Sequence, residues 1–214
     1  MTESKKIIQN LQSMPFGKPF SAKALSHLGS TENIRQVLAR LVKKEDLHRV
    51  ARGVFVRPKI VAGIGEALPS SWEVVEVIAQ STGETFSIHG AEAARQLQLT
   101  TQVPMQIIYY TSGSSRILKI GSRCVQLKHV SPRKLKLAGT LAGTVVVALS
   151  YLGRGQVTSD TIETIKNRLP ENEFATLMQK TEHMPNWMAH CFHRYQNESA
   201  LSPPVILPRN GVTF

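Results

Sequence analysis

Cysteine is scarce in this 214-residue chain. Cys124 and Cys191 are the only two and lie 67 positions apart, so no disulfide framework is spelled out. A reducing cytoplasm of bacterial type is the simplest setting. Long apolar runs are missing too. The longest, residues 141–149, contains Gly143 and Thr144 and falls far short of the ~20 residues that cross a bilayer. The N-terminus opens polar, MTESKKIIQNLQSM, without the apolar stretch of a signal peptide. Neither a basic amphipathic membrane helix nor a lipid-anchor signal is evident, so no membrane association is expected. No Ser-His-Asp, Cys-His or paired-carboxylate pattern stands out, which argues against an enzyme. Acids are few where bases are many. The first 60 residues hold 12 Lys/Arg against four Asp/Glu, +8 of the chain's formal +11.

That basic end has a pattern. A pI near 10.0 points to an anionic partner, most commonly nucleic acid. Residues 4–14 carry apolar side chains at 7, 8, 11 and 14, a helical period. Ser21 caps a second short helix with Ala22, Leu25 and Leu28 on one face and Gly29 as its stop. Ser30 or Thr31 opens a third, with Ile34, Val37, Leu38 and Leu41 at i, i+3, i+4, i+7. Residues 47–51 and 54–57 alternate apolar with polar or basic residues around Arg52-Gly53, a β-hairpin whose turn uses Gly53 at positive φ. Helix, Gly-containing turn, helix and basic hairpin are the parts of a winged helix-turn-helix.

The fold class expected is therefore α+β. A winged helix-turn-helix over 1–60 precedes a mixed α/β domain over 61–198, with a small antiparallel sheet and C-terminal helices. A Pro-containing extended tail over 199–214 follows. In the second domain, helices are expected at 72–80, 91–99, 133–152, 158–169, 171–180 and 184–196. Strands are expected at 85–88, 105–111, 116–120 and 124–129, with turns at 112–114 and 121–122.

Arg pairs bidentately with guanine and Asn or Gln with adenine. The residues facing outward near the start of the third helix, Thr31, Asn33, Arg35 and Gln36, are the candidates for reading bases. Arg40, Lys43, Arg49 and Arg52 are the candidates for phosphates. Arg133, Lys134 and Lys136 form a second basic cluster, either an extension of the phosphate footprint or an exposed helix start. His183, His190, Cys191 and His193 lack a second ligand pair at zinc spacing, so no metal and no cofactor are expected. Residues 112–115 lack the Gly-Lys-Ser/Thr ending of a phosphate loop and read as a hairpin turn. His89 reads as a structural residue at a helix start.

Three stretches carry a family resemblance: FSIHGAEAARQLQL (86–99), VPMQIIYYTSG (103–113) and LKHVSPRKL (127–135), behind the basic N-terminal module. With that arrangement the chain resembles the AbiE-type antitoxins and transcriptional regulators of bacterial type IV toxin–antitoxin systems. The resemblance implies a double-stranded DNA partner, inverted repeats in the protein's own promoter. It also implies functional pairing with a nucleotidyltransferase-like toxin, without a stable direct complex. Promoter binding would fall on Asn33, Arg35, Gln36, Arg40, Arg49 and Arg52; the antitoxin role maps to no motif. The alternative is a winged helix that serves protein contacts without specific DNA binding.

Overall fold

The computed structural model describes residues 2–63 and 65–201. Helices and small sheets are mixed throughout, so the protein is α+β. The described residues fall into two compact units, residues 1–89 with 104–139, and residues 90–103 with the chain from 140 on. No helix among the described residues is long and apolar enough to cross a membrane.

In the first unit, α1 (Glu3–Ser13) leads into β1 (Pro19–Ser21) and a 3-10 turn (Ala22–Leu25) that Ser21 caps through the Ala24 N–H. α2 (Thr31–Lys43) follows, then β2 (His48–Ala51) and β3 (Val54–Val56). The expected second helix is thus a single 3-10 turn. The three strands form an antiparallel sheet in the order β1-β3-β2, with Gly53 at φ 74° in the β2–β3 turn.

The central strand β3 is buried on both faces. Phe55 joins Ile7, Leu11, Leu25, Ile34, Val37 and Leu38 in a cluster under α1 and α2. Val54 and Val56 point the other way, into a second cluster with α3 (Ser71–Thr82) and a four-stranded sheet. That sheet contains β6 (Phe86–Ile88), β7 (Ile107–Thr111), β8 (Arg116–Ile120) and β9 (Arg123–His129). The expected break at residue 60 therefore does not coincide with a break in packing. Val50, Ala51, Val54 and Val56 share one apolar core with Val74, Val75, Ile78, Val125 and Leu127, and pulling them apart would expose all of them to water.

Between the two lies a hairpin unforeseen in the sequence, β4 (Lys59–Val61) against β5 (Gly65–Ala67). Gly63, at φ 78°, lies in its turn, and Gly65, at φ 88°, opens β5 opposite Val61; in the sequence the pair falls just past the expected domain boundary.

The four-stranded sheet departs from the antiparallel expectation. Its order is β6-β7-β9-β8, and β7 pairs with β9 in parallel, Ile107 opposite Val125 through Thr111 opposite His129. β8 and β9 make the expected hairpin over Gly121-Ser122. Residues 112–115, however, are no hairpin turn, because β9 separates β7 from β8. Glu84 pins the connection: it accepts from Thr111 Oγ1 at 2.8 Å and from Arg116 Nη2 at 2.9 Å. Gly113 N–H donates to Thr111 Oγ1, and His129 Nδ1 lies 2.8 Å from the Gly113 carbonyl.

Arg57 has a structural task. Its Nη1 donates to the Gln12 and Met14 carbonyls at 2.7 and 2.5 Å, closing the C-terminal end of α1, and its guanidinium stacks 3.8 Å from the Phe16 ring centroid. Arg57→Ala is expected to lower stability by about 1.5–3 kcal/mol, the range for hydrogen bonds to a charged group. It should leave the salt dependence of any DNA binding unchanged; chemical denaturation beside a salt titration checks both.

The second unit is helical: α4 (Gly90–Gln96), α5 (Leu141–Leu152), α6 (Ser159–Arg168), α7 (Glu171–Gln179) and α8 (Asn186–Leu201). The expected helix over 133–152 is in fact two pieces, a 3-10 turn (Pro132–Leu135) and α5. Gly139 at φ 78° breaks it, and Thr140 recaps the chain through the Gly143 N–H. α5 buries Ala142, Val145, Val147, Ala148 and Leu149. α4 packs closely on it because Gly90 has no side chain: a Cβ there would come within 2.6 Å of Tyr151 Cβ. Tyr195 of α8 donates to Glu163 of α6 and accepts from Lys166 Nζ at 3.2 Å, tying the two helices. Residues 199–201 complete α8, and the remainder of the expected tail, 202–214, lies outside the described residues.

Candidate nucleic-acid interface

α2 is an amphipathic helix with a firm start. Ser30 caps it by accepting from the Asn33 N–H at 3.2 Å, and Ile34, Val37 and Leu38 face the core. Thr31, Arg35, Gln36, Arg40 and Lys43 are exposed on the opposite side, and Asn33 is half-buried. After α2 the chain turns through Glu45 in a left-handed conformation (φ 64°) into β2. Arg49 and Arg52 are exposed on the β2–β3 hairpin.

The two sets of sequence-predicted residues are in different states. The side chains of Arg40, Lys43, Arg49 and Arg52 make no hydrogen bond or ion pair with described residues. Four cations are therefore held on α2 and the hairpin without internal neutralisation. The base-reading candidates are mostly engaged. Asn33 Oδ1 accepts from Ser4 Oγ at 3.0 Å, and its Nδ2 donates to Glu3 Oε2 at 2.8 Å. That amide ties the start of α2 to the start of α1 and is committed at both ends. It also holds the Glu3 carboxyl below its ordinary value, with a smaller contribution from the Ser30 N–H.

Arg35 and Gln36 share another acid, Glu32. Arg35 Nε and Nη2 donate to the two Glu32 oxygens at 2.9 and 2.7 Å, and Gln36 Nε2 donates to Oε1 at 2.9 Å. These bonds, Arg35's first, bring the Glu32 carboxyl down to about 2. For a depressed carboxyl, the interaction is complete above the ordinary carboxylate range and is lost only as pH falls through the lowered value. The Glu32 cluster thus stays intact across neutral and mildly acidic pH. Thr31 makes no side-chain bond with described residues.

His48 Nδ1, on β2, lies 2.6 Å from Glu66 Oε1 of β5, joining the two hairpins. Beside that pair a shallow cavity of about 430 Å³ is lined by Val42, Arg49, Val50, Leu68 and Gly121.

The second basic cluster is unevenly exposed. Arg133 and Lys136 are exposed, while Lys134 is half-buried with its ammonium 4.4 Å from the Tyr110 ring centroid. His89 packs on the same ring at 4.9 Å between centroids. Burial first, then Lys128 and Lys134, push the His89 imidazole below its ordinary value.

A further basic signal lies in the sequence, hidden by totals over the C-terminal 154 residues. Residues 93–159 contain nine Lys/Arg and no Asp or Glu. Seven of these bases, among them Lys119, Arg123 and Lys128, fall within 104–139 and belong to the first unit. The first unit thereby carries 19 Lys/Arg against 8 Asp/Glu, the whole of the formal +11, whereas the second carries 7 against 7. A stretch empty of one sign of charge is the signal that marks it, whereas the total over residues 61–214, 14 Lys/Arg against 11 Asp/Glu, hides it.

Among the described residues no group of three metal-ligating side chains comes together. No curated protein matches the chain. Residues 6–177 match the model of a family described as a family of unknown function (DUF6088), and since that span is most of its length, the chain belongs to this family.

Proposed function

We propose that the protein is a sequence-specific, double-stranded-DNA-binding transcriptional regulator. Its N-terminal module is read as a winged helix-turn-helix. The observation that carries this reading is the pairing of an exposed polar face on α2 with four internally unneutralised cations, Arg40, Lys43, Arg49 and Arg52. The order α1, β1, 3-10 turn, α2, β2, β3, with β3 central in the sheet, supports it: a helix followed by a β-ribbon suits one major groove and the flanking backbone. Thr31, Arg35 and Gln36 face bases; the four cations grip phosphates, and counterion release makes affinity steeply salt-dependent. Arg133, Lys136 and the neighbouring bases of the four-stranded sheet lengthen that footprint. Asn33 joins the base-reading set only if its bonds to Ser4 and Glu3 open.

The resemblance to AbiE-type regulators supports a narrower reading: the autorepressing antitoxin of a type IV system. On that reading the protein acts in the cytoplasm of a bacterium on inverted repeats in its own promoter. It opposes a nucleotidyltransferase-like toxin without a stable complex, and needs neither cofactor nor catalysis. A protein-interaction module is the second reading. It is favoured by one observation, that Asn33, Arg35 and Gln36 all have acids as partners within the protein.

Titration of the upstream intergenic duplex separates the two. Binding at low salt that weakens steeply with added salt supports the regulator; no binding supports the interaction module. For the reader residues, Arg35→Ala is expected to cost about 1–3 kcal/mol on the preferred duplex and to relax choice at one base pair. An equal loss on a scrambled duplex would remove Arg35 from base reading.

A further inference from the structure

The Glu32 cluster has a geometry that mere charge neutralisation does not require. An arginine side chain has five N–H donors arranged as two edges. Arg35 turns its side edge, Nε with one hydrogen of Nη2, to the two Glu32 oxygens. The end edge, Nη1 with the other hydrogen of Nη2, is left over. That end edge presents two parallel N–H donors, which match guanine O6 and N7.

Gln36 repeats the arrangement. One hydrogen of its Nε2 goes to Glu32 Oε1, and a second Nε2 hydrogen and Oε1 remain, a donor and an acceptor on the same amide. That pair matches adenine N7 and N6. One carboxylate therefore holds two adjacent side chains while sparing the reading edge of each. The Arg35 side chain, 73% exposed, would otherwise sample many rotamers, and fixing them before contact lowers the entropy lost on binding.

We propose that Glu32 is a specificity-determining positioning residue that orients Arg35 and Gln36 together, so that the target carries a guanine and an adenine at neighbouring steps. The inference rests on the DNA-reading function proposed above. It differs from simple masking, in which Glu32 would occupy the two side chains and repel phosphate until DNA displaced it. Positioning makes the two base preferences depend on one carboxylate; masking makes Glu32 a uniform brake on affinity.

The experiment is selection of full-length protein against a pool of randomised duplexes, comparing wild type with Glu32→Gln, Glu32→Ala and Arg35→Ala. Ser30 still caps α2 in all of them, and helical circular dichroism confirms folding. Wild type is expected to select a guanine column and an adjacent adenine column, each with a preference of ~5–100-fold. Glu32→Gln and Glu32→Ala should flatten both columns together toward no preference, while binding to random duplex stays equal or rises. Arg35→Ala should flatten the guanine column alone.

If the Glu32 variants keep both columns and only gain affinity on every duplex, Glu32 masks and the inference is overturned. If wild type selects a motif without the guanine–adenine pair, the inference also fails while the DNA-reading function stands. If wild type binds no duplex at low salt, that function falls and the inference with it.

Discussion

The triple variant Arg40→Ala, Arg49→Ala, Arg52→Ala is expected to bind double-stranded DNA on the order of 10²–10³-fold more weakly than wild type at about 0.1 M salt. The figure follows from counterion release, in which each neutralised phosphate contributes ~0.9 to the slope of log affinity against log salt. Losing three contacts should make that slope shallower by about 2.7. The effect should be as large on random duplex as on preferred duplex, because phosphates carry no sequence information. The three side chains are exposed and make no bonds with described residues, so thermal stability should change little. Arg57 is the internal control. It is an arginine of the same hairpin strand region, but its guanidinium is committed to the Gln12 and Met14 carbonyls. Its loss should therefore appear in denaturation and not in the salt slope.

Leu127→Ala is expected to destabilise the first unit by about 2–5 kcal/mol, the range for truncating a fully buried leucine to leave a cavity. Leu127 sits at the middle of β9, fully buried, in the cluster that also holds Val50, Ala51, Val54 and Val56. The damage should not stop at the four-stranded sheet. Amide hydrogen exchange should speed up at Val54 and Val56 together with β7 and β9, in one cooperative step, since the two sheets share a core. Unchanged protection at β3, with loss confined to β7 and β9, would mean that the N-terminal module stands alone as first expected at residue 60. If the shared core holds, a contact on the hairpin and one on the four-stranded sheet are made by one body, and the bases of 104–139 belong to the same rigid surface as those of the proposed N-terminal footprint.

Much of this was legible in the chain because local signals and burial agree. Ser30, the i, i+3, i+4, i+7 run at Ile34, Val37, Leu38 and Leu41, and Arg52-Gly53 gave α2 and the hairpin within a residue or two. The misreadings have physical causes. Residues 54–57 are expected to alternate apolar with polar or basic, but every second position of a strand points the other way, and at Val54-Phe55-Val56 both directions are apolar. That is the mark of a strand buried on both faces. Gly63 and Gly65 mark a domain boundary in the sequence because a glycine pair serves a boundary or a tight hairpin equally well. The parallel β7–β9 pairing had no local signature: its strands pair across 18 positions, Ile107 opposite Val125, and the Glu84 bonds to Thr111 and Arg116 beside it join residues 27 and 32 positions apart. The helix expected through 133–152 failed at Gly139, whose left-handed conformation is a choice glycine permits but does not announce.

At the candidate interface, residue type and period placed Arg40, Lys43, Arg49 and Arg52 on α2 and the hairpin, where they are exposed, and said nothing about the neighbours of the other candidates. Glu32 sits among the base-reading candidates in the sequence, yet only its distances to Arg35 and Gln36 reveal that one carboxylate serves both. Asn33 has the right chemistry for adenine and is occupied by Ser4 and Glu3, residues 29 and 30 positions away. A sequence window around α2 contains neither.

The most direct measurement is a fluorescence-anisotropy titration of the full chain on its upstream intergenic duplex and on a scrambled duplex of equal length, across a salt series. Four free cations on α2 and the hairpin should give a log–log slope of about −3.6 or steeper, with the intergenic duplex preferred at every salt concentration. No binding at low salt, or binding whose affinity is indifferent to salt, would contradict a DNA-reading role for α2 and the hairpin.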